Sequence, residues 1–503
     1  MEVPHLLVTD GTKAEYVVLS HCWGGTTALR TTLANIKQHE RSLPFEELPK
    51  TFRDAVRFTR RLNIKYLWID SLCIIQDDEE DWANHSSVMG RIYRDSFICI
   101  AAHAAADSHA GFLEHKRRKI DVLHIQSVDS SHQLSVRQAG ESVDGFDGLH
   151  AYSGSDSPAQ ISKLLTRGWV YQELILAPRT LHFTDFEVFY TCGRGQYCEC
   201  SPGELYESPD VPIGMQENIH SALYASISTS SMANKFLKNN HYWWGVIVEE
   251  FSVRDLTFTS DRLPAISGLA SAVQQFEMDQ YLCGLWRRKI VDGLSWMRSS
   301  TKSWTDFRSS WCVVGWRKLP QLFDHSRRQS RRHDKYYAST WSWASITGPV
   351  SYLEATFPLS SNVAILGASI EPNGPDPFGP ARSGFIRLKA KIKETKLEVY
   401  KDMSGSARVT LALFEGCYKP QVHTDITKYE SEIFLEDSHY LLFLSSQPPS
   451  DPYFPFNPIG LCLVLRRSKS QTDAYERVGI TMLDLEDYMV ASRTAVAQTI
   501  ELI

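Results

Sequence analysis

A tryptophan and a glutamate lie four residues apart in an apolar stretch of this sequence. Trp169 and Glu173 fall within residues 162–177, which have the pattern of a helix that ends before Pro178. Residues four apart share one face of a helix, so an indole and a carboxylate can border the same pocket. A carboxylate stabilises positive charge on a sugar ring, and an indole stacks on planar rings. The structural alternative pairs Glu173 with a neighbouring arginine and places Trp169 in the core.

Polar residues also follow three short apolar runs that have the character of buried strands. The runs cover residues 16–19, 66–69 and 97–102, and they are followed by Ser20, His21, Asp70 and His103. Ligands bind beyond the carboxyl ends of parallel strands, and the glycines after Trp23 let backbone N–H groups approach a phosphate. The predicted substrate-binding residues are Ser20, His21, Cys22, Trp23, Gly24, Asp70, Cys73, Gln76 and Trp169. The alternative for Asp70 is a helix or turn cap.

The cysteines give weaker signals. Cys22 is a possible nucleophile beside His21, but adjacent strand residues point to opposite faces, which argues against this pairing. Cys73 and Cys99 lie in apolar runs and have the pattern of core residues. A zinc site would draw on His182, Cys192, Cys198 and Cys200. Their spacing differs from the usual zinc knuckles, so we predict ordinary thiols and no metal.

The elements that would position these residues alternate between strand and helix. Besides residues 162–177, helices are predicted after Pro49, with Thr51 as the N-cap, and over residues 81–94. Such alternation predicts an α/β fold with a mainly parallel sheet flanked by helices. Residues 114–160 look like an insertion with one hairpin, and a strand or hairpin is predicted over residues 179–190.

The remainder of the chain divides into two regions. Residues 205–320 are predicted to be mostly helical and are rich in tryptophan. Strand signals return after that, at residues 385–388, 440–443 and 461–464. We therefore predict three domains over residues 1–204, 205–320 and 321–503, the last of them β-rich.

Composition excludes several classes of protein. The chain has 503 residues, 43% of them hydrophobic, with 13 Trp, 21 Tyr and 23 Phe, so intrinsic disorder is not expected. Its net charge of −6 argues against a nucleic-acid-binding protein. We find no signal peptide and no apolar run long enough to span a membrane, and ten scattered cysteines do not form a disulfide framework. A cytoplasmic location is therefore expected.

Three segments in this order resemble the heterokaryon incompatibility (HET) domain of filamentous fungi. They are Leu19-Ser20-His21-Cys22-Trp23-Gly24, the stretch from Leu48-Pro49-Lys50-Thr51-Phe52 through Trp68-Ile69-Asp70 to Asp81-Trp82 and Ile92-Tyr93, and Arg167-Gly168-Trp169-Val170-Tyr171-Gln172-Glu173. Later segments resemble the extended region of long HET proteins, namely Asp261-Arg262-Leu263-Pro264 and Trp341-Ser342-Trp343. The sequence departs from the family at His85, where many HET domains have Glu.

The resemblance implies a role in fungal allorecognition and programmed cell death. HET domains look like distant relatives of TIR domains, many of which hydrolyse NAD⁺ with a Glu on the helix after the third strand. Counting elements assigns that catalytic role to Glu173 in this sequence, with NAD⁺ as a substrate and no bound cofactor. One alternative is a non-enzymatic module that signals by self-association. Another is recruitment of the fold to a different small-molecule reaction.

Overall fold

The structure is a computed structural model of the chain. The described residues are 3–25, 29–114, 122–126, 133–137, 162–185, 188–192, 195–199, 243–299, 330–333, 335–352, 360–361, 363–401, 407–412, 420–425, 438–446 and 459–503. They form two compact units. The first holds the described residues up to 199 together with Arg254–Leu256, and the second holds the rest. The domain boundaries predicted near residues 204 and 320 lie outside the described residues and stay predictions.

The first unit is built on a six-stranded sheet. Its strands are β1 (Tyr16–Ser20), β2 (Tyr66–Trp68), β3 (Ile98–Ala101), β6 (Arg179–Phe183), β7 (Val188–Cys192) and β8 (Gly195–Cys198), while β4 (Val122–Gln126) and β5 (Gln133–Arg137) form a separate hairpin. The order is β2-β1-β3-β6-β7-β8, with the first four strands parallel and the last two antiparallel. The helices are α1 (Ile36–His39), α2 (Lys50–Arg61), α3 (Asp70–Cys73), α4 (Glu79–Arg94) and α5 (Gly168–Leu176), with a 3-10 helix at Phe45–Glu47. The predicted α/β class is thus confirmed.

Alternate residues of β1 face two different cores. Val17 and Leu19 pack in the cluster that contains residues of α2. Val18 packs in the cluster that contains residues of α4 and α5. All three are 0% exposed, and burial of each such side chain contributes about 1.5–3 kcal/mol. Helices therefore cover both faces of the sheet, and residues beyond Leu19 continue this alternation.

Helix α2 anchors the loop that follows β3. The helix begins at Lys50, so the prediction of Thr51 as its N-cap is wrong, and Thr51 lies in the first turn. The Thr51 hydroxyl donates to the carbonyl oxygen of Asp107 at 3.0 Å and accepts from the backbone N–H of Gly111 at 3.1 Å. The buried Asp54 carboxylate accepts from two further N–H groups of this loop, at 2.9 and 3.1 Å. These bonds explain why the polar residues Thr51 and Asp54 occupy buried positions of this helix.

Two predicted helices and two predicted hairpins are present with changed bounds. Helix α4 begins at Glu79, because the Asp78 side chain accepts from two N–H groups of its first turn. Helix α5 is shorter than the predicted 162–177, since turns occupy residues 163–166. The hairpin β4–β5 lies in the predicted insertion, and β6–β7 forms a hairpin where a strand or hairpin is predicted over residues 179–190.

The second unit is dominated by a ten-stranded sheet. Its helices are α6 (Trp243–Ser252), α7 (Pro264–Glu277), α8 (Ile290–Gly293) and α9 (Leu485–Arg493), with 3-10 helices at Thr259–Arg262, Arg287–Lys289 and Trp343–Ser345. The small strands are β9 (Tyr281–Leu282), β10 (Leu285–Trp286), β11 (Trp296–Arg298) and β12 (Val350–Tyr352). The large sheet contains β13 (Ser360–Ser361), β14 (Ala364–Pro372), β15 (Ala381–Thr395), β16 (Leu397–Lys401), β17 (Ala407–Leu411), β18 (Gln421–Thr424), β19 (His439–Ser446), β20 (Ile459–Arg467), β21 (Ala474–Asp484) and β22 (Val496–Leu502). The predicted β-rich character is confirmed.

A buried ion pair lies beside this sheet. Arg477 and Asp425 are both 0% exposed, and the Arg477 Nε atom lies 3.2 Å from a carboxylate oxygen of Asp425. The same guanidinium donates to two backbone carbonyls, of Leu294 and Trp296, and stacks on the Trp296 ring. Hydrogen bonds to every side of a buried charge offset the cost of removing it from water.

Among the helices of the described ranges, none has the length and apolarity needed to cross a membrane.

Candidate active site

The carboxylate of Glu173 lies against the carboxyl end of β1. The Ser20 hydroxyl donates to Glu173 Oε2 at 2.6 Å, although the two residues are 153 positions apart in the chain. Ser20 is the last residue of β1, and it faces α5 because strand residues alternate between the two cores. Glu173 is only 3% exposed. The structure thus brings together two of the predicted site residues.

Glu173 has a strongly perturbed acidity. Burial, and after it the nearby charge of Asp70, raise the pKa of this carboxyl from 4.5 to about 7. Arg167 and hydrogen bonds from Ser20 and Tyr93 lower the pKa in part. Burial dominates because an ionised carboxylate loses its hydration there. A carboxyl group with a pKa near neutrality is suited to proton transfer.

Asp70 is the more accessible carboxylate of the site. It is the first residue of α3, two positions after the end of β2, and its side chain is 14% exposed. The Trp23 indole N–H donates to Asp70 Oδ2 at 2.8 Å, and the backbone N–H of Ser71 donates to Oδ1 at 2.7 Å. The second bond is local to the first turn of α3, whose N-cap is Ile69 and has no side-chain cap. Asp70 therefore links two of the sheet's strand ends through Trp23.

His21 lies on the opposite face of β1 from Ser20. Its ring packs edge-to-face on Phe52, and its Nδ1 atom is 3.8 Å from Asp70 Oδ1. Burial lowers the pKa of His21 to about 4; the Asp70 charge opposes this shift and Arg167 adds to it, so the ring is neutral at pH 7. Neither ring nitrogen has a hydrogen-bond partner among the described residues. A buried polar ring without a partner is costly and marks a place where a ligand can contribute one.

Two residues that the sequence analysis did not assign to the site belong to it. The Tyr93 hydroxyl lies 3.2 Å from the Leu19 carbonyl oxygen and also faces the Glu173 carboxylate. Arg167 donates from Nη1 to the carbonyl oxygen of His21. Both residues lie within the family motifs, but their sequence positions give no sign of which strand end they face.

Gly24 forms a tight turn after β1. Its φ angle is +81°, a conformation that favours glycine, and a Cβ atom at this position would lie 2.6 Å from Asp107 Cβ. The neighbouring Trp23 carbonyl accepts from the Ser108 hydroxyl at 2.9 Å. The turn is therefore held against the loop after β3. Gly25 has no atom within 4 Å of an added Cβ.

The other predicted residues have contacts of their own. Trp169 is half-buried and packs edge-to-face on Trp82 of α4, with ring centroids 6.4 Å apart. The Gln76 amide N–H donates to the carbonyl oxygens of Asp70 and Ile74 at 3.1 and 2.9 Å.

Two of the predicted site residues are cysteines with raised pKa values. Cys22 lies on the Glu173 face of β1, and burial, the largest influence on this thiol, raises its pKa. Burial also raises the pKa of Cys73 to about 11. These thiols are protonated at neutral pH.

His85 occupies the position at which the sequence departs from the family. It lies on α4, where its Nδ1 atom is 2.9 Å from the Asp81 carbonyl oxygen and 3.3 Å from that residue's carboxylate. These contacts are local to one turn of the helix.

A chain of buried histidines lies beyond β3. The His103 Nε2 and His182 Nδ1 atoms are 3.0 Å apart, and the outer nitrogens contact Ser162 and Thr191 hydroxyls at 3.3 and 3.0 Å. His182 thus contacts His103. Cys192 and Cys198 lie on neighbouring strands, whereas Cys200 is outside the described residues. Within the described ranges, no group of three or more His, Cys, Asp or Glu side chains is arranged to hold a metal ion.

Fold and site together define an α/β domain whose parallel strands end at two carboxylates, one of them buried. Residues 16–173 match the family model described as heterokaryon incompatibility protein (HET). A HET domain is therefore found at residues 16–173, which include the three sequence segments. No curated protein and no solved structure matches the chain.

Proposed function

We propose that this heterokaryon incompatibility protein acts in allorecognition and cell death by cleaving NAD⁺ at its ribosyl–nicotinamide bond. The site would be TIR-like, with Glu173 as the catalytic residue and a cytoplasmic pool of NAD⁺ as the substrate. The observation that carries the proposal is the buried Glu173 carboxylate, bonded to Ser20 at the carboxyl end of a parallel strand, with Asp70 nearby. Ligands of parallel α/β sheets bind at this edge.

Charge complementarity supports a cationic substrate. Nicotinamide in NAD⁺ carries a positive charge, and cleavage transfers positive character to the ribose. Burial, and after it the Asp70 charge, raise the pKa of Glu173 to about 7, so this carboxyl is partly protonated before substrate binds. A cation at the site favours the ionised form of the carboxyl. Substrate binding would therefore generate the anion that stabilises the transition state.

The proposed reaction consumes one water molecule. The bond between ribose C1′ and the nicotinamide nitrogen breaks, and its electron pair goes to the ring, which becomes neutral. The water oxygen bonds to C1′, and its proton passes to Glu173 and then to solvent. The Asp70 carboxylate, which is more exposed, would hold the ribose hydroxyls. Trp23 fixes the orientation of Asp70 through its 2.8 Å hydrogen bond.

Release of nicotinamide by the full-length protein tests this proposal. The assay uses high protein concentration and compares wild type with Glu173→Gln, which keeps the shape of the side chain but cannot accept a proton. We expect Glu173→Gln to lose at least about 100-fold in kcat, as is usual for a general base. The matched control is Glu79→Gln, which removes an exposed acid from α4. Equal turnover by wild type and Glu173→Gln would overturn the role of this residue.

The burial of Glu173 favours a second candidate, a non-enzymatic module that signals by self-association. Glu173 is 3% exposed and accepts hydrogen bonds from Ser20 and Tyr93, so its carboxyl group can have a purely structural role. In the described part of the first unit, β2 pairs with β1 only, and Tyr66 on it is 38% exposed. Lysine on a sheet edge blocks strand addition. If Tyr66→Lys abolishes cell killing and assembly while Glu173→Gln retains both, this candidate replaces the hydrolase.

A further inference from the structure

One guanidinium group lies at the same strand end as the two carboxylates. Arg167 is half-buried, and its Nη1 atom donates to the backbone carbonyl of His21, the residue after β1. A guanidinium has five N–H donors in a rigid fork, so the bond to His21 fixes its position while other donors can meet a further partner. The charge of Arg167 acts on His21, Cys22 and Glu173.

A second cation acts on the same strand end. Lys163 is exposed and occupies the turn that precedes α5, four residues before Arg167. The charged groups close enough to act on Cys22 are Arg167, Glu173, Lys163 and Asp107. Two cations, Arg167 and Lys163, and two acids, Glu173 and Asp107, thus act on Cys22 at this strand end.

We propose that Arg167, with Lys163 beside it, binds a phosphate group of the ligand, so that the site takes phosphorylated ribosides in preference to unphosphorylated ones. This inference rests on the proposed function, because it assigns the anionic half of a substrate whose cationic half faces Asp70 and Glu173. The guanidinium fork matches phosphate oxygens in pairs, and the bond to His21 holds it at the strand end.

The alternative is that Arg167 only anchors a backbone carbonyl. Arg179 provides a matched control for that role. It is half-buried like Arg167, and its Nε atom donates to the carbonyl oxygen of Phe97 at 2.7 Å. Arg179 begins β6 and Phe97 precedes β3, so this bond lies at the opposite, amino edge of the sheet. Replacing either arginine by methionine removes one bond to a carbonyl and one charge.

Two measurements on the full-length protein test the proposal. The first is calorimetric titration with ADP-ribose, which needs no turnover. We expect Arg167→Met to weaken binding by about 10- to 100-fold, the usual effect of one charge-assisted contact, while Arg179→Met stays within about 2-fold of wild type. Arg167→Lys should recover part of the loss, and Lys163→Met should weaken binding less than Arg167→Met.

The second measurement compares KM for NAD⁺ and for nicotinamide riboside, which has the same scissile bond and no phosphate. Arg167→Met should raise KM for NAD⁺ by about 10-fold or more and leave KM for the riboside unchanged. Equal losses for the two substrates, or equal losses in Arg167→Met and Arg179→Met, would overturn the phosphate role. Absence of nicotinamide release, with ADP-ribose binding that depends on Arg167, would refute the hydrolase but support the anion subsite. Absence of ADP-ribose binding to wild type would refute the subsite.

Discussion

Glu173→Gln should make the first unit more stable at alkaline pH. Burial, with the charge of Asp70, raises the pKa of Glu173 from 4.5 to about 7 in the folded state. The folded protein therefore binds more protons than the unfolded chain between these values, and its free energy of unfolding falls as the pH rises. A pKa difference of about 2.5 corresponds to about 3 kcal/mol in total, at about 1.4 kcal/mol for each pKa unit. This contribution is fully present below pH 4.5 and lost once the pH passes 7.

Glutamine keeps the shape of the side chain and its bond from Ser20, but it does not titrate. The difference in free energy of unfolding between wild type and Glu173→Gln should therefore change by about 2–3 kcal/mol between pH 5 and pH 8, to the disadvantage of wild type. Hydrogen exchange of peptides from β1 and α5 in the full-length protein measures this local stability. The same pair of pH values for Glu79→Gln gives the baseline for an exposed acid.

The sign of the pH effect is the decisive result. If wild type gains stability relative to Glu173→Gln as the pH rises, the carboxyl is held in its ionised form, and the assignment of burial as the dominant influence is wrong. A difference that does not depend on pH would mean that Glu173 titrates normally, and the case for it as a proton acceptor would lose its physical basis.

Three further predictions concern the turn, the buried ion pair and the histidine chain. Gly24→Ala should cost about 1–3 kcal/mol in unfolding experiments because of its positive φ and a 2.6 Å contact, whereas Gly25→Ala should stay within about 0.5 kcal/mol. Asp425→Asn removes the charge that neutralises the buried Arg477 guanidinium and should cost about 3–5 kcal/mol in urea unfolding, against less than about 1 kcal/mol for Glu501→Gln in an exposed pair. Burial lowers the pKa of His103 from 6.5 to about 3, so the stability that its neutral form contributes should be lost as the pH falls below 6.5, and His103→Gln should flatten that loss in a thermal scan from pH 7 to pH 5.

Local patterns were sufficient to predict the elements of the first unit. The apolar runs at residues 16–19 and 97–102 became β1 and β3, because buried parallel strands require continuous apolar sequence. The predicted α5 was too long, because residues 163–166 form turns. Their apolar spacing does not distinguish such turns from a helix. Thr51 was misassigned as an N-cap because its hydroxyl bonds to a loop about 56 residues away.

The candidate site was predictable only in part. Placing polar residues at strand ends follows from the general geometry of parallel sheets, and this rule selected Ser20 and Asp70. The bond between Ser20 and Glu173 joins residues 153 positions apart, and it depends on which face of β1 meets α5. Tyr93 and Arg167 were missed for the same reason, because sequence spacing within a helix or turn does not show which distant strand it packs against. The four-residue spacing predicts that Trp169 and Glu173 share one face of a helix and can border one pocket. In the structure Trp169 contacts Trp82.

The energetic cost of Glu173 bears directly on the choice between the two candidate functions. A glutamine at this position could accept the bond from Ser20 without the penalty of ionisation, so stability alone favours the amide at neutral pH. A carboxyl that lowers stability by up to about 3 kcal/mol is expected where ionisation itself is used. A purely structural or self-associating domain gains nothing from that cost, and Glu173→Gln would then be more stable and fully active in cell killing. A variant that is more stable and inactive would instead show that this acid is retained for chemistry, because improved folding cannot explain a loss of function.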